Sequence, residues 1–291
     1  MNIGKISAVT IASPDLSKSV EQYVNFLNYR LVDEGQVSKE EAIAWKAENI
    51  QGADYIVLQP ENSNDFAFRF IKQESQGEYI PFKSGGWNAA ELIVRNVDEM
   101  AIRLSNSEFE IIGPPADLSF TDQIRAMQVV GPSNEILYLT EFKSKLPEFD
   151  SPIARCDVDQ TFIVILAGSS MDQMQEFYCN SFNLDKAAAM DSRIRAISRV
   201  FGNPEDTEYK SAAIPIKDQC LIEIDELPDG AAIRSSEPGY LLPGISMVSF
   251  LAYDNVYRDS LIYQCNLTHL KGKKCSIIHG NEQEIIELVH K

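Results

Sequence analysis

Histidine is scarce in this sequence. Only His269, His279 and His290 are present, and all three lie near the C-terminus. Imidazole is the commonest protein ligand of zinc, iron and related metals. A metal site that draws histidines from several parts of the chain is therefore excluded.

Paired cysteines are also missing. All five cysteines lie in the second half of the chain, and none forms a CxxC pair or has a histidine at zinc-finger spacing: Cys156, Cys179, Cys220, Cys265 and Cys275. An odd number of scattered cysteines argues against a disulfide framework. We expect free, mostly buried thiols in a reducing compartment.

Long apolar runs and excess basic charge are absent as well. No segment approaches the roughly 18 apolar residues of a membrane span, and the N-terminus lacks the apolar core of a signal peptide. Forty-three acidic residues against 26 basic ones give a net charge of −17, which repels phosphate backbones and anionic headgroups. We expect a cytoplasmic protein that binds neither nucleic acid nor membrane.

Sequence motifs for common catalytic sites are absent too. There is no GxSxG elbow, P-loop or GxGxxG sequence, and the Ser169-Ser170 pair is typical of a helix N-cap. With 291 residues, 44% of them apolar, the chain predicts about two globular domains.

A repeated order of elements runs along the chain. A strand over Lys5–Ser13 leads into a helix that Ser13 or Asp15 can cap, and short strands follow. The order strand, helix, several strands then returns three times, with a period of about 70 residues that suits one supersecondary unit. In the fourth repeat the helix is expected around Val256–Cys265.

A proline-containing stretch separates the second repeat from the third. We therefore predict an N-terminal domain over 1–142, a linker over 143–155 that contains Pro147 and Pro152, and a C-terminal domain over 156–291. Each domain is expected to hold two consecutive repeats.

Four segments resemble the vicinal-oxygen-chelate superfamily, which includes glyoxalases, bleomycin-resistance proteins and extradiol dioxygenases. ISAVTIASPDLSKSVEQYVNFLNY is similar to its opening strand and helix, and VVGPSNEILYLTEF to its closing turn and strand. FIVILAGSSMDQMQEFYCNSFNL and GNEQEIIELVHK repeat these two patterns. The resemblance implies an α+β fold of four βαβββ modules, paired into two cup-shaped mixed sheets. Fold alone does not fix function in such a superfamily.

The resemblance also places the family's metal-ligand positions on this chain. In the first half they fall on Ala8, Ala89, Arg69 and Tyr138, which form no ligand set. In the second half the opening positions fall near Ile163 and near Ser246 or Met247.

The closing positions of the second half carry carboxylates. Glu223 and Glu287 lie there, and they form either an acid/base pair in one cup or structural ion pairs. Without imidazole they make a weak site for a transition metal, although an oxygen-rich magnesium or calcium site stays open. We expect no transition metal and no cofactor.

Arg69 and Glu91 are the strongest site candidates. Period-two alternation points each toward a cup, if Arg69 does not extend outward to solvent instead. With modules one and two in one domain, Ala8 and Ala89 would lie on adjacent strands of one cup. There Arg69 would pair with Glu91 or bind an anionic ligand, and Glu91 would be a salt-bridge partner or a general base.

Four further residues complete the predicted site. Tyr138 either donates its hydroxyl to a substrate oxygen or packs in the core. Tyr55 and Trp87 are aromatic walls of the cup or ordinary packing, and Arg125 is a second anion contact or a solvated strand end.

The function that follows is an enzyme of small-molecule metabolism, an isomerase or lyase acting on an organic acid or ketone. Glu91 would be the base, and Arg69 and Tyr138 would stabilise the oxyanion. The rival is a non-catalytic protein that sequesters a small molecule, and the third reading is a metal-dependent glyoxalase or dioxygenase. The expected partner is a small organic molecule, and a homodimer is left open.

Overall fold

A computed structural model describes residues 1–74, 79–146, 150–253, 257 and 262–290. The strands are β1 Ile3–Ser13, β2 Tyr29–Gln36, β3 Asp54–Pro60, β4 Ala67–Lys72, β5 Gly86–Val94, β6 Glu110–Leu118, β7 Thr121–Val130, β8 Ile136–Phe142, β9 Val158–Gly168, β10 Met190–Arg193, β11 Glu208–Ile216, β12 Cys220–Glu226, β13 Gly244–Ala252, β14 Ile262–Gln264, β15 Lys274–His279 and β16 Ile285–His290. The helices are α1 Leu16–Leu27, α2 Lys39–Ala44, α3 Val97–Leu104, α4 Met171–Phe182 and α5 Arg195–Phe201, with short 3-10 helices at Glu48–Ile50 and Thr268–Leu270.

The predicted modules are present. Module one contains β1–β4, module two β5–β8, module three β9–β12 and module four β13–β16, so the α+β fold of four modules is confirmed. Half of the helix predicted over Val256–Cys265 lies outside the described residues. Where the chain is described again, Ile262–Gln264 form strand β14, so that end of the prediction is wrong.

Local capping explains where the first helix of modules one and three begins. The Asp15 side chain accepts a hydrogen bond from the Lys18 amide at the start of α1, and Ser170 caps α4 in the same way. Both helices end at an asparagine in the left-handed conformation, Asn28 and Asn183. These are the residue types that satisfy the free backbone groups at helix ends.

The modules pair differently from the prediction. The first sheet has the order β14-β15-β16-β13-β1-β4-β3-β2, and the second has β10-β11-β12-β9-β5-β8-β7-β6. Module one therefore shares a sheet with module four, and module two with module three. Ala8 lies opposite Ser249, and Ala89 opposite Ile165, so the prediction that Ala8 and Ala89 lie on adjacent strands is wrong.

Consecutive modules are joined through their helices instead of their sheets. Tyr23 on α1 donates to Glu135 in the closing turn of module two, at 2.9 Å. Tyr178 on α4 makes the same contact with Glu284 of module four, at 2.8 Å. The division into 1–142, 143–155 and 156–291 stays a prediction, and Pro147 lies outside the described residues.

The main core lies between the two sheets. On β1, Val9 and Ile11 join a large buried cluster that also contains Leu92 of β5 and Phe250 of β13. Ala8, on the opposite face of β1, belongs to a second cluster. Because side chains alternate along a strand, each curled sheet turns one face to the shared core and its concave face away from it.

The sequence Gly113-Pro114-Pro115 lies inside strand β6. β6 continues through it with register shifts against β7. β6 lies at the edge of the second sheet, where proline removes no donor that a neighbouring strand needs.

Candidate functional site: two cups with equivalent positions

Each sheet forms one cup. We call the concave face of the first sheet, which carries Arg69, the Arg69 cup, and that of the second sheet, which carries Glu91, the Glu91 cup. The central strands are arranged alike in both, since β1, β4, β13 and β16 correspond to β9, β12, β5 and β8.

The strand register makes this correspondence residue-specific. In the first sheet Thr10 pairs with both Arg69 and Met247, and in the second Ile165 pairs with both Glu223 and Ala89. Arg69 and Glu223 therefore occupy equivalent positions.

The same register relates the closing strands. Ser249 pairs with Glu287 on one sheet, and Glu91 pairs with Tyr138 on the other. Glu287 thus corresponds to Tyr138, and Ser249 to Glu91.

Arg69 fills the Arg69 cup with a positive charge. Its side chain is 2% exposed, and its Nη2 lies 3.4 Å from Oε1 of Glu287, which is itself completely buried. Nε donates to Thr10 Oγ1 at 3.0 Å. Ser249 and Tyr263 donate their hydroxyls to the Glu287 carboxylate. A buried ion pair persists only when further hydrogen bonds satisfy both partners, and these contacts do so.

A segment between β2 and β3 closes the Arg69 cup. α2 and the following turn carry Trp45, whose ring lies 4.8 Å from the Arg69 guanidinium carbon and whose Nε1 donates to Tyr263 Oη at 2.9 Å. Ser38 and Glu41 form a capping box that fixes the start of α2. Tyr55 packs in the same buried cluster.

Electrostatics hold Arg69 in its charged form. Burial alone would lower the pKa of the guanidinium, but the surrounding Glu287, Tyr263 and Glu41 raise it above its ordinary value. The Arg69 cup is therefore neutralised by the chain's own residues.

The Glu91 cup differs from the Arg69 cup because its buried ionisable groups are acidic. Burial raises the pKa of Glu91 to about 7, although a hydrogen bond from Thr140 Oγ1 at 2.6 Å favours the charged form. Burial raises the pKa of Glu223 well above its usual range, and Asp225 and Glu91 add to the shift. Two carboxyls near each other seldom both ionise, so at neutral pH this cup holds a mixture of protonated and ionised acids.

Tyr138 lies among these acids. It is 8% exposed, and its hydroxyl has no hydrogen-bond partner among the residues that the structure describes. Its pKa is raised chiefly by burial and then by the nearby acids Asp225, Glu223 and Glu91, so the phenol stays neutral. A buried hydroxyl without a partner is costly, and a ligand in the cup is the natural source of one.

The Glu91 cup is also less closed. α5 covers part of it, with Ala196 and Ile197 packed against the cup's apolar residues. Glu91 and Glu223 nonetheless keep part of their surface in contact with solvent, unlike Arg69 and Glu287.

The predicted site residues are thus divided between the cups. Arg69 and Tyr55 lie in one, and Glu91 and Tyr138 in the other, so the predicted pairing of Arg69 with Glu91 is wrong. The proposed acid/base pair of Glu223 and Glu287 is likewise separated between two sheets. Both errors come from the pairing of modules, since each side chain points into a cup as alternation predicts.

Trp87 and Arg125 lie outside both cups. A register shift between Trp87 and Ala89 turns the indole into the central core, where its Nε1 donates to the Ile285 carbonyl oxygen at 3.0 Å. Arg125 points to the opposite face of β7 and pairs with Asp98 of α3 at 2.9 Å and Asp117 at 3.1 Å.

Several residues that contact the predicted site residues were not predicted from the sequence. Asp225 and Thr140 follow Glu223 and Tyr138 by two positions, so alternation alone could have found them. Trp45 follows α2, between β2 and β3, and Tyr263 lies on the short strand β14 where a helix was expected, so no periodic pattern placed them.

Similarity to solved structures supports this description of the fold. Glyoxalase I from Zea mays superposes with a TM-score of 0.63 at 13% identity, covering 98% of this chain and 92% of that one. A candidate dioxygenase from Bacillus subtilis has a TM-score of 0.64 at 11% identity, covering 99% and 86%. The chain has the vicinal-oxygen-chelate fold. No family model matches the sequence, and the comparison with curated proteins found no match.

The metal that this fold implies does not fit the residues present. In the Arg69 cup a guanidinium occupies the centre, and a positive charge there repels a metal cation. In the Glu91 cup the equivalent positions hold carboxyls, a phenol and aliphatic side chains, without imidazole. Among the described residues no group of three or more histidine, cysteine or acidic side chains is arranged to hold a metal ion.

The remaining predictions concern the cysteine thiols and membrane spans. All five cysteines are free and buried, as expected. Of the helices in the described part of the chain, none has the length and apolar character to span a membrane. His269 Nε2 contacts the Ser7 carbonyl oxygen and His290 Nε2 contacts Ser276 Oγ, at 3.0 and 2.8 Å.

Proposed function

We propose that the protein is an enzyme of small-molecule metabolism that moves a proton on an organic substrate held in the Glu91 cup, in an isomerase or lyase reaction. The observation that carries this is Glu91 itself. Its carboxyl has a pKa of about 7 and lies in a partly open cup beside a tyrosine hydroxyl without a partner. A general base works best when its pKa is near the operating pH.

The roles follow from the neighbours of Glu91. Ionised Glu91 would take a proton from a carbon next to a carbonyl group, and Tyr138 would donate its hydroxyl to the enolate oxygen that develops. Glu223, whose raised pKa keeps it protonated, would return a proton to the substrate. Glu91 then releases its proton to solvent and Glu223 regains one, so both carboxyls are restored and the proton count balances without a co-reactant.

This proposal changes two parts of the sequence prediction. Arg69 leaves the site because Glu287 already neutralises it. A ketone then fits the site better than a carboxylic acid, since no described arginine or lysine is paired with or aimed at the acids of this cup.

Proton exchange with solvent is the direct test. A panel of small ketones incubated with the protein in D₂O should gain deuterium next to the carbonyl, as followed by proton NMR. Glu91→Gln should abolish the exchange, and Tyr138→Phe should slow it by about 100-fold if the hydroxyl stabilises the oxyanion. Glu208→Gln, on the same sheet but exposed, is the matched control and should exchange normally.

Equal exchange with wild-type protein and Glu91→Gln would contradict the proposal. A non-catalytic binder is the second candidate, favoured by the acidic character of the cup and its cover of α5. A compound that raises the melting temperature but never exchanges would support that candidate.

A further inference from the structure

We propose that the natural ligand of the Glu91 cup carries a protonated nitrogen, an ammonium or guanidinium group, that contacts Glu91, Glu223 and the Tyr138 hydroxyl. This inference rests on the proposed use of the Glu91 cup for ligand binding and adds the class of ligand. It does not require that the ligand react.

The chain itself contains a guanidinium bound in an equivalent place. In the Arg69 cup, Arg69 Nη2 contacts Glu287 at 3.4 Å, and Ser249 supports that carboxylate. The register places Tyr138 where Glu287 lies and Glu91 where Ser249 lies. The first cup is therefore an internal example of how this arrangement of strands receives a cation.

The charge at one position is inverted between the cups. Where the first sheet has Arg69, the second has Glu223. Glu91, Glu223 and Asp225 consequently share a cup in which no lysine or arginine of the described chain forms an ion pair with them. A cation for this cup has to come from outside the protein.

The Tyr138 hydroxyl is an independent sign of a ligand. It is buried among these acids, yet no described group hydrogen-bonds to it. A phenol can accept a hydrogen bond from an ammonium or guanidinium and donate one to a carboxylate, so a cation between Tyr138 and the acids satisfies both. Partial exposure of Glu91 and Glu223 provides access from solvent.

A guanidinium and its neutral analogue give the sharpest test. n-Propylguanidinium reproduces the end of an arginine side chain, n-propylurea has nearly the same shape without the charge, and butyrate carries the opposite charge. By isothermal titration calorimetry we expect n-propylguanidinium to bind at least tenfold more tightly than n-propylurea, and butyrate not to bind.

Variants locate the binding. Glu223→Gln should weaken n-propylguanidinium binding by about tenfold or more, because a bound cation favours the ionised form of Glu223 and an amide cannot supply the charge-assisted hydrogen bond. Glu208→Gln removes the same charge from an exposed position and should bind as the wild type does. Melting temperatures of both variants verify that they are folded.

Three results would overturn the inference: equal binding of the urea and the guanidinium, no binding of the guanidinium, or binding that Glu223→Gln leaves unchanged. The proposed function can fail or hold separately. Glu91-dependent deuterium exchange of neutral ketones, without cation binding, would support proton transfer and reject a cationic ligand. Cation binding without deuterium exchange would support a cationic ligand and reject proton transfer.

Discussion

The Arg69 cup and the Glu91 cup are built on the same arrangement of strands but differ in how their charges are satisfied. In the first, Arg69 and Glu287 pair with each other and Trp45 covers them. In the second, Glu91, Glu223 and Tyr138 occupy the equivalent or neighbouring positions without a cation. The charges of the Arg69 cup are satisfied within the chain. The acids and the Tyr138 hydroxyl of the Glu91 cup are left for a ligand.

Stability and function are expected to divide between the cups accordingly. A well-satisfied buried ion pair is strongly destabilising to break, because the remaining partner is left charged and buried. Carboxyls kept near an apolar wall without a counter-ion instead cost stability, which is common at binding sites.

The largest effect is expected from Arg69→Met. It removes the guanidinium and leaves Glu287 buried without its counter-ion, so the free energy of unfolding should fall by about 3–5 kcal/mol. Urea denaturation measures this loss. Arg69→Lys should recover only part of it, since an ammonium cannot reproduce the contacts of the planar guanidinium.

A double variant in the same cup serves as the control for Arg69→Met. Glu287→Leu combined with Arg69→Met removes both charges and should be clearly more stable than Arg69→Met alone. If the single variant loses less than about 1 kcal/mol, the ion pair does not hold this cup together.

Trp45→Phe should have a smaller effect. It deletes the hydrogen bond to Tyr263 and weakens the contact with Arg69, at a cost of about 1–2 kcal/mol. The same denaturation measurement applies. A loss that persists unchanged in the Arg69→Met background would show that Trp45 acts independently of the guanidinium.

Glu91→Gln should stabilise the protein at high pH. The pKa of Glu91 is about 7 in the folded protein, above its ordinary 4.5. The stability contributed by its protonated form is complete below pH 4.5 and is lost as pH rises through 7. A neutral amide avoids this loss.

The variant should therefore be more stable than the wild type by about 1 kcal/mol at pH 8, with little gain at pH 5. Melting curves across this range test the sign. A gain that is equal at both pH values would mean that ionisation of Glu91 is not its cause.

Tyr138→Phe should have the smallest effect on stability. Its hydroxyl makes no hydrogen bond to the described residues, so removing it should not lower the free energy of unfolding and should raise it by less than about 1 kcal/mol. A loss above about 1.5 kcal/mol would mean that the hydroxyl has a protein partner in solution, and that the cup does not wait for a ligand.

Local patterns predicted much of this molecule. The order of strands and helices gave the four modules, the caps at Asp15 and Ser170 fixed two helix starts, and alternation directed Arg69 and Glu91 into concave faces. These features depend on neighbouring residues, which a single sequence contains.

Pairing between modules could not be predicted in the same way. Similar modules present similar strand edges, and β1 pairs with β13 through contacts between residues over 200 positions apart, such as Ala8 and Ser249. The register shift beside Trp87 also has no local signal. The pairing of Glu287 with Arg69 was consequently missed, although the sequence analysis had singled out both residues.

Methyl NMR with n-propylguanidinium is the most direct test of the difference between the cups. Ile93 and Ile165 line the Glu91 cup, and Ile71 and Ile277 line the Arg69 cup. On titration into protein with ¹³C-labelled isoleucine methyl groups, the resonances of Ile93 and Ile165 should shift while those of Ile71 and Ile277 stay in place. Shifts at Ile71 and Ile277 instead would show that the Arg69 cup is the one that opens to a ligand.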